Sequence, residues 1–433
     1  MEPKVVVLGA GFAGLHAVRH LGRADVPTLW IDANNYHCFL PLLYQVATAG
    51  LEPPSIAQPV RTILRRLPAV EFRMASIVGA DPAARVLLTA DGERIPYRAL
   101  IVATGGTAEY FGIPGVREHT LRLYDLEDAR ALRNHMLRAL ERATVTTDPA
   151  ERARLLTFVI VGAGATGVEM AGALAEFRRH VVPRDYRDID LAEMRIIVVE
   201  AGPNVLPPFP ETLRARTLRD LHAFGVDVRT GTRVEQVTAD AAVLAGGERL
   251  PTETVIWAAG IRAAPVAAHL GFPTGRSGRL RVEPTLAVPG HAGVFAAGDV
   301  AVVDGNERLP QVAQMAIQQG ELAAENVQRS LAREPLAVFR YEDKGSMATI
   351  GRSRAVAVIG RVRLVGRIAW AAWLLVHIVM LIGFRNRLVV LVNWAWNYVT
   401  FDRGLRAIIG RARDDEACTP AEAPSHRAAR ESG

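Results

Sequence analysis

The chain is poor in cysteine. Its 433 residues include only Cys38 and Cys418, which lie far apart in the sequence. No Cys-x-x-Cys or Cys-x4-Cys spacing occurs, so we expect neither a disulfide framework nor a zinc site. A redox-active dithiol is not expected either, which means that any electrons entering this protein must leave it without a cysteine pair.

Lysine is almost absent as well. Lys4 and Lys344 are the only two in the chain, so the formal net charge of +6 comes from arginine. The basic excess is densest near the end, where seven arginines face only Asp402. They are Arg361, Arg363, Arg367, Arg385, Arg387, Arg403 and Arg406. This pattern suits an anionic membrane surface, and because no nucleic-acid-binding motif accompanies it, we expect no nucleic-acid partner.

The chain also lacks an apolar run of ordinary membrane-spanning length. Residues 368–384 are seventeen nearly uninterrupted apolar positions, which as a helix would extend about 25 Å into a hydrocarbon core of about 30 Å. Taken alone, the segment is a marginal span, an interfacial helix or a core helix. The break at 385–387 and the second apolar stretch at 388–398 fit better as two helices lying on the membrane face. Four tryptophans are then expected at the headgroup level, Trp370, Trp373, Trp394 and Trp396.

A signal peptide is not evident at the start, because the basic residues, the apolar core and the small-residue cleavage site are missing. We therefore expect the body of the protein in the cytoplasm. Together with the basic apolar end of the chain, this predicts a peripheral, monotopic protein on the cytoplasmic face of the bacterial cell membrane.

Glycines at fixed spacing are present near the start. In "VVVLGAGFAGLHAV" a strand precedes Gly9, Gly11 and Gly14, and a helix follows them. Such glycines allow a tight turn, a close approach of backbone N–H groups to a pyrophosphate, and packing of the helix on the strand. Asp32 closes the second strand at the spacing of a carboxylate that accepts a hydrogen bond from a ribose hydroxyl. The agreement of motif and context predicts a dinucleotide site.

The same pattern returns in the middle of the chain. Gly162, Gly164 and Gly167 follow a strand, and Glu200 ends the next strand after a charged insertion. The residues after Glu200 are Ala201 and Gly202, so no guanidinium is at hand for a 2′-phosphate and NADH is favoured over NADPH. The alternative is a degenerate duplicate that binds nothing.

These motifs predict an α/β protein with two Rossmann-like dinucleotide-binding domains and a C-terminal membrane-associating helical segment. We expect an FAD-binding domain in two pieces, 1–118 and 280–345, and an NADH-binding domain at 119–279. A membrane-anchoring region at 346–413 and a disordered tail at 414–433 complete the prediction. Two dinucleotide sites in one chain imply hydride transfer from NADH to a flavin, and the apolar, basic end points to a lipid-dissolved acceptor.

Several longer motifs carry a resemblance to a known family. They are "DANNYHCFLPLLYQVATAGL" (32–51), "VIVGAGATGVEMAGALAE" (159–176), "AAGDVA" (296–301), "AQMAIQQG" (313–320), "YEDKGSMATIGR" (341–352) and the segment 373–404. Over nearly its whole length the chain resembles the type II NADH dehydrogenases, single-subunit NADH:quinone oxidoreductases that do not pump protons. Glutathione, thioredoxin and sulfide:quinone reductases differ from it in having cysteines near the flavin.

The resemblance implies roles for the cofactor-binding residues. The first glycine motif and Asp32 would bind the adenosine diphosphate half of FAD, and the second motif with Glu200 would bind NADH. Thr48 would approach the isoalloxazine, and Asp299 would hold the ribityl chain. An aspartate in that turn is equally a helix N-cap, and the two roles are compatible.

The resemblance also implies catalytic roles. Gln314 and Gln318, four residues apart on one helix face, would hydrogen-bond a quinone carbonyl. By residue type alone they are more simply a solvated helix face. Glu169 would serve quinone reduction and proton delivery; its plain alternative is a carboxylate at a helix start. Lys344 would stabilise reduced flavin or a developing quinol oxyanion. The alternative is that this single interior lysine occurs by chance and has no function.

The sequence leaves other functions open. One is a flavin-dependent NADH reductase with a different acceptor, such as ferredoxin, oxygen or sulfide. Another is a non-catalytic flavoprotein of the apoptosis-inducing-factor type. The quinone, menaquinone or ubiquinone, is not specified by the residues, and a homodimer is possible.

Overall fold

The computed structural model describes residues 4–400 and 406–410. The tail predicted at 414–433 and Cys418 lie outside these residues. Up to residue 119 the described chain forms nine strands and five helices. They are β1 (Lys4–Leu8), α1 (Phe12–Arg23), β2 (Thr28–Asp32), β3 (Tyr36–Cys38), α2 (Leu43–Ala47), α3 (Pro53–Ile56), β4 (Ala57–Pro59), α4 (Val60–Leu64), β5 (Val70–Met74), β6 (Ile77–Asp81), β7 (Val86–Thr89), β8 (Arg94–Val102), β9 (Gly106–Ala108) and α5 (Val116–His119).

The middle of the chain adds a second set. Its elements are β10 (Leu121–Arg122), α6 (Leu126–Val145), α7 (Pro149–Leu155), β11 (Thr157–Val161), α8 (Ala165–His180), α9 (Val182–Asp185), β12 (Arg195–Glu200), α10 (Glu211–Ala223), β13 (Asp227–Thr230), β14 (Val234–Val237), β15 (Ala241–Leu244), β16 (Arg249–Pro251), β17 (Thr254–Trp257) and β18 (Ile261–Ala263). The strand predicted before the first glycine motif is β1, and the strand predicted to end at Glu200 is β12, so both predictions are confirmed.

The remaining elements follow from residue 280 onward. They are β19 (Leu280–Val282), β20 (Val294–Ala296), β21 (Ala301–Val303), α11 (Ala313–Ala332), β22 (Ser346–Gly351), β23 (Arg354–Ile359), β24 (Val362–Val365), α12 (Gly366–Met380) and α13 (Phe384–Thr400). Short 3₁₀ helices lie at Leu40–Leu42, Pro265–His269 and Arg276–Gly278.

Two parallel sheets form the centre of the molecule. The first has the order β5-β2-β1-β8, with β20 pairing in parallel on the far side of β8 and the β7–β6 hairpin attached to the start of β8. The second has the order β10-β17-β11-β12-β13. In each, the strand before a glycine motif lies in the interior of the sheet, so both motifs open at a carboxyl edge of parallel strands, where α/β folds place their ligands.

Strands alternating with helices account for this architecture. Interior strands such as β11 are buried at every position and, after Thr157, wholly apolar, as expected of parallel strands covered on both faces. The α/β fold with two dinucleotide-binding units, predicted from the sequence, is confirmed. After the second sheet the chain returns to the first, because β20 joins β8 and α11 packs against α1. The predicted domain boundaries themselves stay a prediction.

Glycines allow two unusually close helix contacts. A Cβ atom on Gly320 of α11 would lie 2.2 Å from the carbonyl oxygen of Ala13, and one on Gly172 of α8 would lie 2.3 Å from that of Ile350. Only a residue without a side chain lets the backbones approach this closely. The second contact places α8 directly against β22 and so joins the middle of the chain to its end.

The C-terminal segment forms a three-stranded antiparallel sheet, β22-β23-β24, followed by two helices. The two-helix prediction is confirmed, but the predicted break at 385–387 is wrong. The chain turns at 381–383, where Gly383 has a positive φ of 90°, and Arg387 donates to the carbonyl oxygens of Leu381 and Val379 at the end of α12 (2.6 and 2.7 Å). Across residues 4–400 and 406–410 we find no helix with both the length and the apolar content needed to cross a membrane.

We predict that Gly172→Ala destabilises the protein, because the added methyl group overlaps the backbone of β22. Overpacking of this kind costs about 1–3 kcal/mol in free energy of unfolding. The matched control is Gly164→Ala at the start of the same helix, where an added Cβ would meet no protein atom within 4 Å. Thermal unfolding without nucleotide measures both, and equal melting temperatures for the two variants would contradict the close contact.

Candidate functional site

The first glycine motif folds as a tight turn between β1 and α1. Gly9 has a φ of 111°, and a Cβ on Gly14 would lie 1.9 Å from the carbonyl oxygen of Gly9. A Cβ on Gly11, by contrast, would meet nothing within 4 Å, and no side chain of the described residues caps α1. The turn therefore offers an open helix N-terminus, which suits a phosphate group.

Asp32 stands at the end of β2 beside this turn. Its Oδ2 accepts a hydrogen bond from the Ala10 N–H (2.6 Å) and its Oδ1 accepts one from Asn34 (2.7 Å). Burial raises the pKa of Asp32, and these two N–H groups oppose the rise. The carboxylate is thus held in place at the edge of the turn, where a ribose would lie.

The second motif has the same construction. Gly162 has a φ of 103°, a Cβ on Gly167 would lie 1.9 Å from the carbonyl oxygen of Gly162, and one on Gly164 would meet nothing. Glu200 accepts from the N–H groups of Ala163 and Gly202, both at 2.7 Å. Two nearly identical cradles therefore lie in one chain, and no side chain among the residues that the structure describes fills either of them.

Asp299 lies in the turn before β21, in a small cleft shared with Arg279 and Gln319. Burial raises the pKa of Asp299 to about 6, and Arg279 opposes the rise. The turn is held by Gln319, whose Oε1 accepts from the Gly298 N–H (2.7 Å). Next to Gly9, the buried Thr104 Oγ1 has no hydrogen-bond partner within the described chain, a donor the sequence reasoning missed. These polar groups around α1 fit an extended dinucleotide.

A cavity of about 130 Å³ opens between α8, the β22–β23 hairpin and the two C-terminal helices. Thr48 and Glu169, both predicted from the sequence, line it together. The other lining residues are Tyr44, Gln45, Gly50, Ala173, Glu176, His180, Thr349, Gly351, Arg352, Trp370, Trp373, Leu374, Trp394, Asn397 and Tyr398. The sequence did not predict this cavity, because its walls come from four distant parts of the chain.

Glu169 is the buried acid of this cavity. It lies on the second turn of α8, and its Oε1 accepts from the Thr349 N–H (3.3 Å). Burial raises the pKa of Glu169 to about 8; the Thr349 N–H and the Trp373 indole oppose the rise. The indole Nε1 does not reach hydrogen-bonding geometry with an acceptor in the described residues. At neutral pH the carboxyl group therefore keeps its proton and can donate it.

Aromatic side chains of α12 and α13 form a second part of the cavity lining, the aromatic wall. Trp373 stacks on His377 with ring centres 3.9 Å apart and meets Tyr44 edge-on at 6.5 Å. Trp394 donates from Nε1 to Gln45 Oε1 (2.8 Å). The prediction of Trp373 at the headgroup level is wrong, since its exposure is 1%; Trp396, 60% exposed, does face outward.

The structure places Gln314 and Gln318 on one face of α11, as predicted, but away from this cavity. Gln318 accepts from the Glu342 N–H (3.0 Å) and donates to its carbonyl oxygen (2.8 Å). Gln314 accepts from the Lys344 N–H and donates to the Gly345 carbonyl oxygen, both at 3.0 Å. The two amides thus hold residues 342–345 as a neighbouring strand would, and the Lys344 side chain is exposed.

Comparisons with known proteins agree with this geometry. The profile of the pyridine nucleotide-disulphide oxidoreductases matches residues 3–320, and that of the NDH2 C-terminal domain matches residues 344–403. The type II NADH:quinone oxidoreductase Ndh of Mycobacterium tuberculosis is 38% identical over 93% of this chain and 89% of its own. The chain belongs to the type II NADH:quinone oxidoreductases. It is an enzyme of that family, with FAD and NADH as its cofactors.

Two further relatives show how widely the likeness extends. The demethylphylloquinone reductase NdbB of Synechocystis is 30% identical, over 91% of this chain and 96% of its own. The structure of NDH2 from Plasmodium falciparum in complex with NADH superposes with a TM-score of 0.85 at 20% identity, covering 95% of this chain and all of that one. At that identity the superposition speaks for the fold alone.

We predict that Glu169→Gln gains stability over the wild type as the pH rises. Between the unfolded value of 4.5 and the folded value of about 8, the folded protein holds a proton that the unfolded chain has released. Rising pH then favours unfolding. The stability due to the protonated acid is complete below pH 4.5 and is lost by about pH 8. Unfolding free energies of both proteins, measured from pH 5 to 8, give the difference between Glu169→Gln and the wild type as a function of pH. The control is Glu334→Gln at an exposed site, for which this difference should not change with pH.

A second prediction concerns residues 342–345. Gln318→Ala removes two hydrogen bonds to Glu342, each worth about 0.5–1.5 kcal/mol, so amide hydrogen exchange in this segment should accelerate. If Gln318 also serves the quinone, the KM for quinone rises with it. Ser330→Ala, about three turns further along α11, is the control. Unchanged exchange would contradict the contact, and unchanged quinone kinetics would refute the predicted role in the quinone site.

Proposed function

We propose that this enzyme transfers a hydride from NADH to FAD and then two electrons to a membrane quinone, without moving protons across the membrane. The observation that carries the proposal is the cavity, which is lined together by Thr48, a protonated Glu169 and the aromatic wall of α12 and α13. When bound, FAD supplies the two-electron carrier between the two substrates.

The two glycine turns would divide the nucleotides between them. The turn at Gly9–Gly14 with Asp32 would hold the adenosine diphosphate half of FAD, and Asp299 would accept hydrogen bonds from its ribityl chain. The turn at Gly162–Gly167 would hold the pyrophosphate of NADH. Glu200 would accept from the adenosine ribose, and its carboxylate, with no arginine following it in the sequence, would repel a 2′-phosphate.

The cavity provides what a quinone headgroup requires. Trp373, Trp394 and Tyr44 offer flat apolar surfaces for its ring, and Ala173 on α8 keeps the space between the walls open. Glu169 would donate a proton to a quinone oxygen, because its buried carboxyl group is uncharged at neutral pH. Lys344, Gln314 and Gln318 do not line the cavity. Their predicted contribution to quinone reduction stays a proposal.

The outer surface of the two helices supports docking on a membrane. Their outward side chains are apolar and largely exposed, among them Ile368, Leu375, Val379, Phe384, Leu391, Trp396 and Val399. A patch of this kind is unusual on a protein surrounded only by water. With Arg367 and Arg385 at its borders, it suits the acyl boundary and anionic headgroups of the cytoplasmic leaflet. The cavity would then open next to the lipid in which the quinone dissolves.

The test is to fill the cavity. Ala173→Leu should block the quinone, raising its KM by about tenfold or more, while leaving NADH-driven flavin bleaching within about twofold of the wild type. Ala173→Ser, which leaves the space open, is the control. Steady-state NADH oxidation with and without menaquinone or ubiquinone gives the first value and stopped-flow absorbance gives the second. Wild-type turnover that does not depend on added quinone would overturn the proposal and favour another acceptor.

A further inference from the structure

Quinone reduction requires a proton from water. NADH gives up a hydride, which is one proton and two electrons, whereas a quinol holds two protons and two electrons more than a quinone. The balanced reaction is NADH + H⁺ + quinone → NAD⁺ + quinol. One proton per turnover must therefore reach a buried site, and the following inference, which rests on the proposed function, concerns its route.

Helix α8 presents a row of proton-carrying side chains to the cavity. Glu169, Glu176 and His180, with Ala173 between the first two, all line it. Their spacings of four, three and four residues put them on one helix face. At a rise of about 1.5 Å per residue, the row extends about 16 Å from Glu169 to His180.

Exposure changes along the row. Glu169 is buried, with 9% of its surface exposed, whereas Glu176 and His180 are half-buried and approach the surface. The row therefore leads from the outside of the protein to the acid that faces the proposed quinone. The small side chain of Ala173 leaves room for water beside the helix, and polar groups on both sides of such a gap can hold it.

The β22–β23 hairpin holds both carboxylates from the facing side. The Thr349 N–H donates to Glu169 Oε1 (3.3 Å), and the Arg352 N–H donates to Glu176 Oε1. The guanidinium of Arg352 lies 3.8 Å from the centre of the Tyr398 ring. Arg352 is the basic group that faces the row from the hairpin; α12 and α13 contribute no charged residue to the lining, only Tyr398 among titratable groups.

We propose that His180 and Glu176 form, with Glu169, a proton path along α8 that supplies quinone reduction. A proton from water binds the His180 imidazole, passes through cavity water to the Glu176 carboxylate, and reprotonates Glu169. The O–H bond of Glu169 breaks as a new O–H bond forms on the quinone oxygen, while the electrons come from NADH through the flavin. Glu169 touches the substrate, whereas Glu176 and His180 act through it.

The raised pKa of Glu169 supports this direction of transfer. With a value of about 8, the carboxyl group holds its proton at neutral pH and takes a new one readily after giving it up.

The test uses Glu176→Gln and His180→Gln in the flavin-loaded enzyme. Glutamine at 176 keeps an oxygen that can accept from the Arg352 N–H, so the contact with the hairpin is retained while the carboxyl group that would carry the proton is removed. Arg179→Gln is the matched control, because Arg179 is exposed and adjacent to the row. We expect both path variants to reduce quinone at least about tenfold more slowly, with an altered pH profile, and flavin bleaching by NADH to be unchanged.

A second readout does not depend on turnover. After transfer of the resting protein to D₂O, the infrared C=O band that Glu169→Gln abolishes reports deuteration of the Glu169 carboxyl group. The band should shift at least about tenfold more slowly in Glu176→Gln and His180→Gln than in the wild type or Arg179→Gln. Glu176→Asp should restore part of the rate.

The outcomes separate the two proposals. Wild-type exchange and a wild-type pH profile in both path variants would overturn the proton path even if quinone is reduced normally. A wild-type enzyme that does not reduce quinone would instead refute the proposed function. In that case the exchange measurement still decides whether α8 conducts protons to Glu169.

Discussion

The functional site depends on the contact between the backbones of α8 and β22 at Gly172. A side chain there would have to occupy the space of the Ile350 carbonyl group. Because the two backbones meet, the hairpin N–H groups of Thr349 and Arg352 reach the carboxylates of Glu169 and Glu176. One close approach thus positions the buried acid, the facing wall of the cavity and the start of the C-terminal helices.

The nucleotide cradles were predictable from the sequence because they are local. Gly14 packs on the carbonyl oxygen of Gly9 within the same turn, and Asp32 ends the very next strand; only the close approach of Gly9 to Ala103 involves a distant part of the chain. The second cradle repeats this across a longer insertion and keeps the same two carboxylate hydrogen bonds. The relative positions of residues that lie close together in the sequence are set mainly by the local turn, so the sequence pattern alone predicts them.

The cavity could not be predicted in the same way. Its walls are side chains of α2, α8, the hairpin and α12–α13, and which of them face inward depends on how these elements pack. Trp373 shows the difficulty. Its residue type and its place in the C-terminal segment suggest a headgroup anchor, yet packing against Tyr44 and His377 buries it. The amides of Gln314 and Gln318 bond the backbone of residues 342–345, a contact that their sequence pattern did not indicate. Their role at a quinone site stays a prediction.

The division of the C-terminal segment into two short helices connects these features to the proposed membrane surface. A straight helix over 368–384 would carry its apolar residues around all sides. The chain instead turns at 381–383, where Arg387 donates to the carbonyl oxygens of Val379 and Leu381. This turn folds α13 back, so that Asn386 reaches β4. One face of the pair then packs against the cavity and the other is left apolar and exposed. The same two helices therefore supply an aromatic wall inside and an exposed apolar surface outside. A lipid-dissolved substrate would need to cross only this layer of two helices, with its ring entering the cavity beside Glu169 while its tail stays in the bilayer.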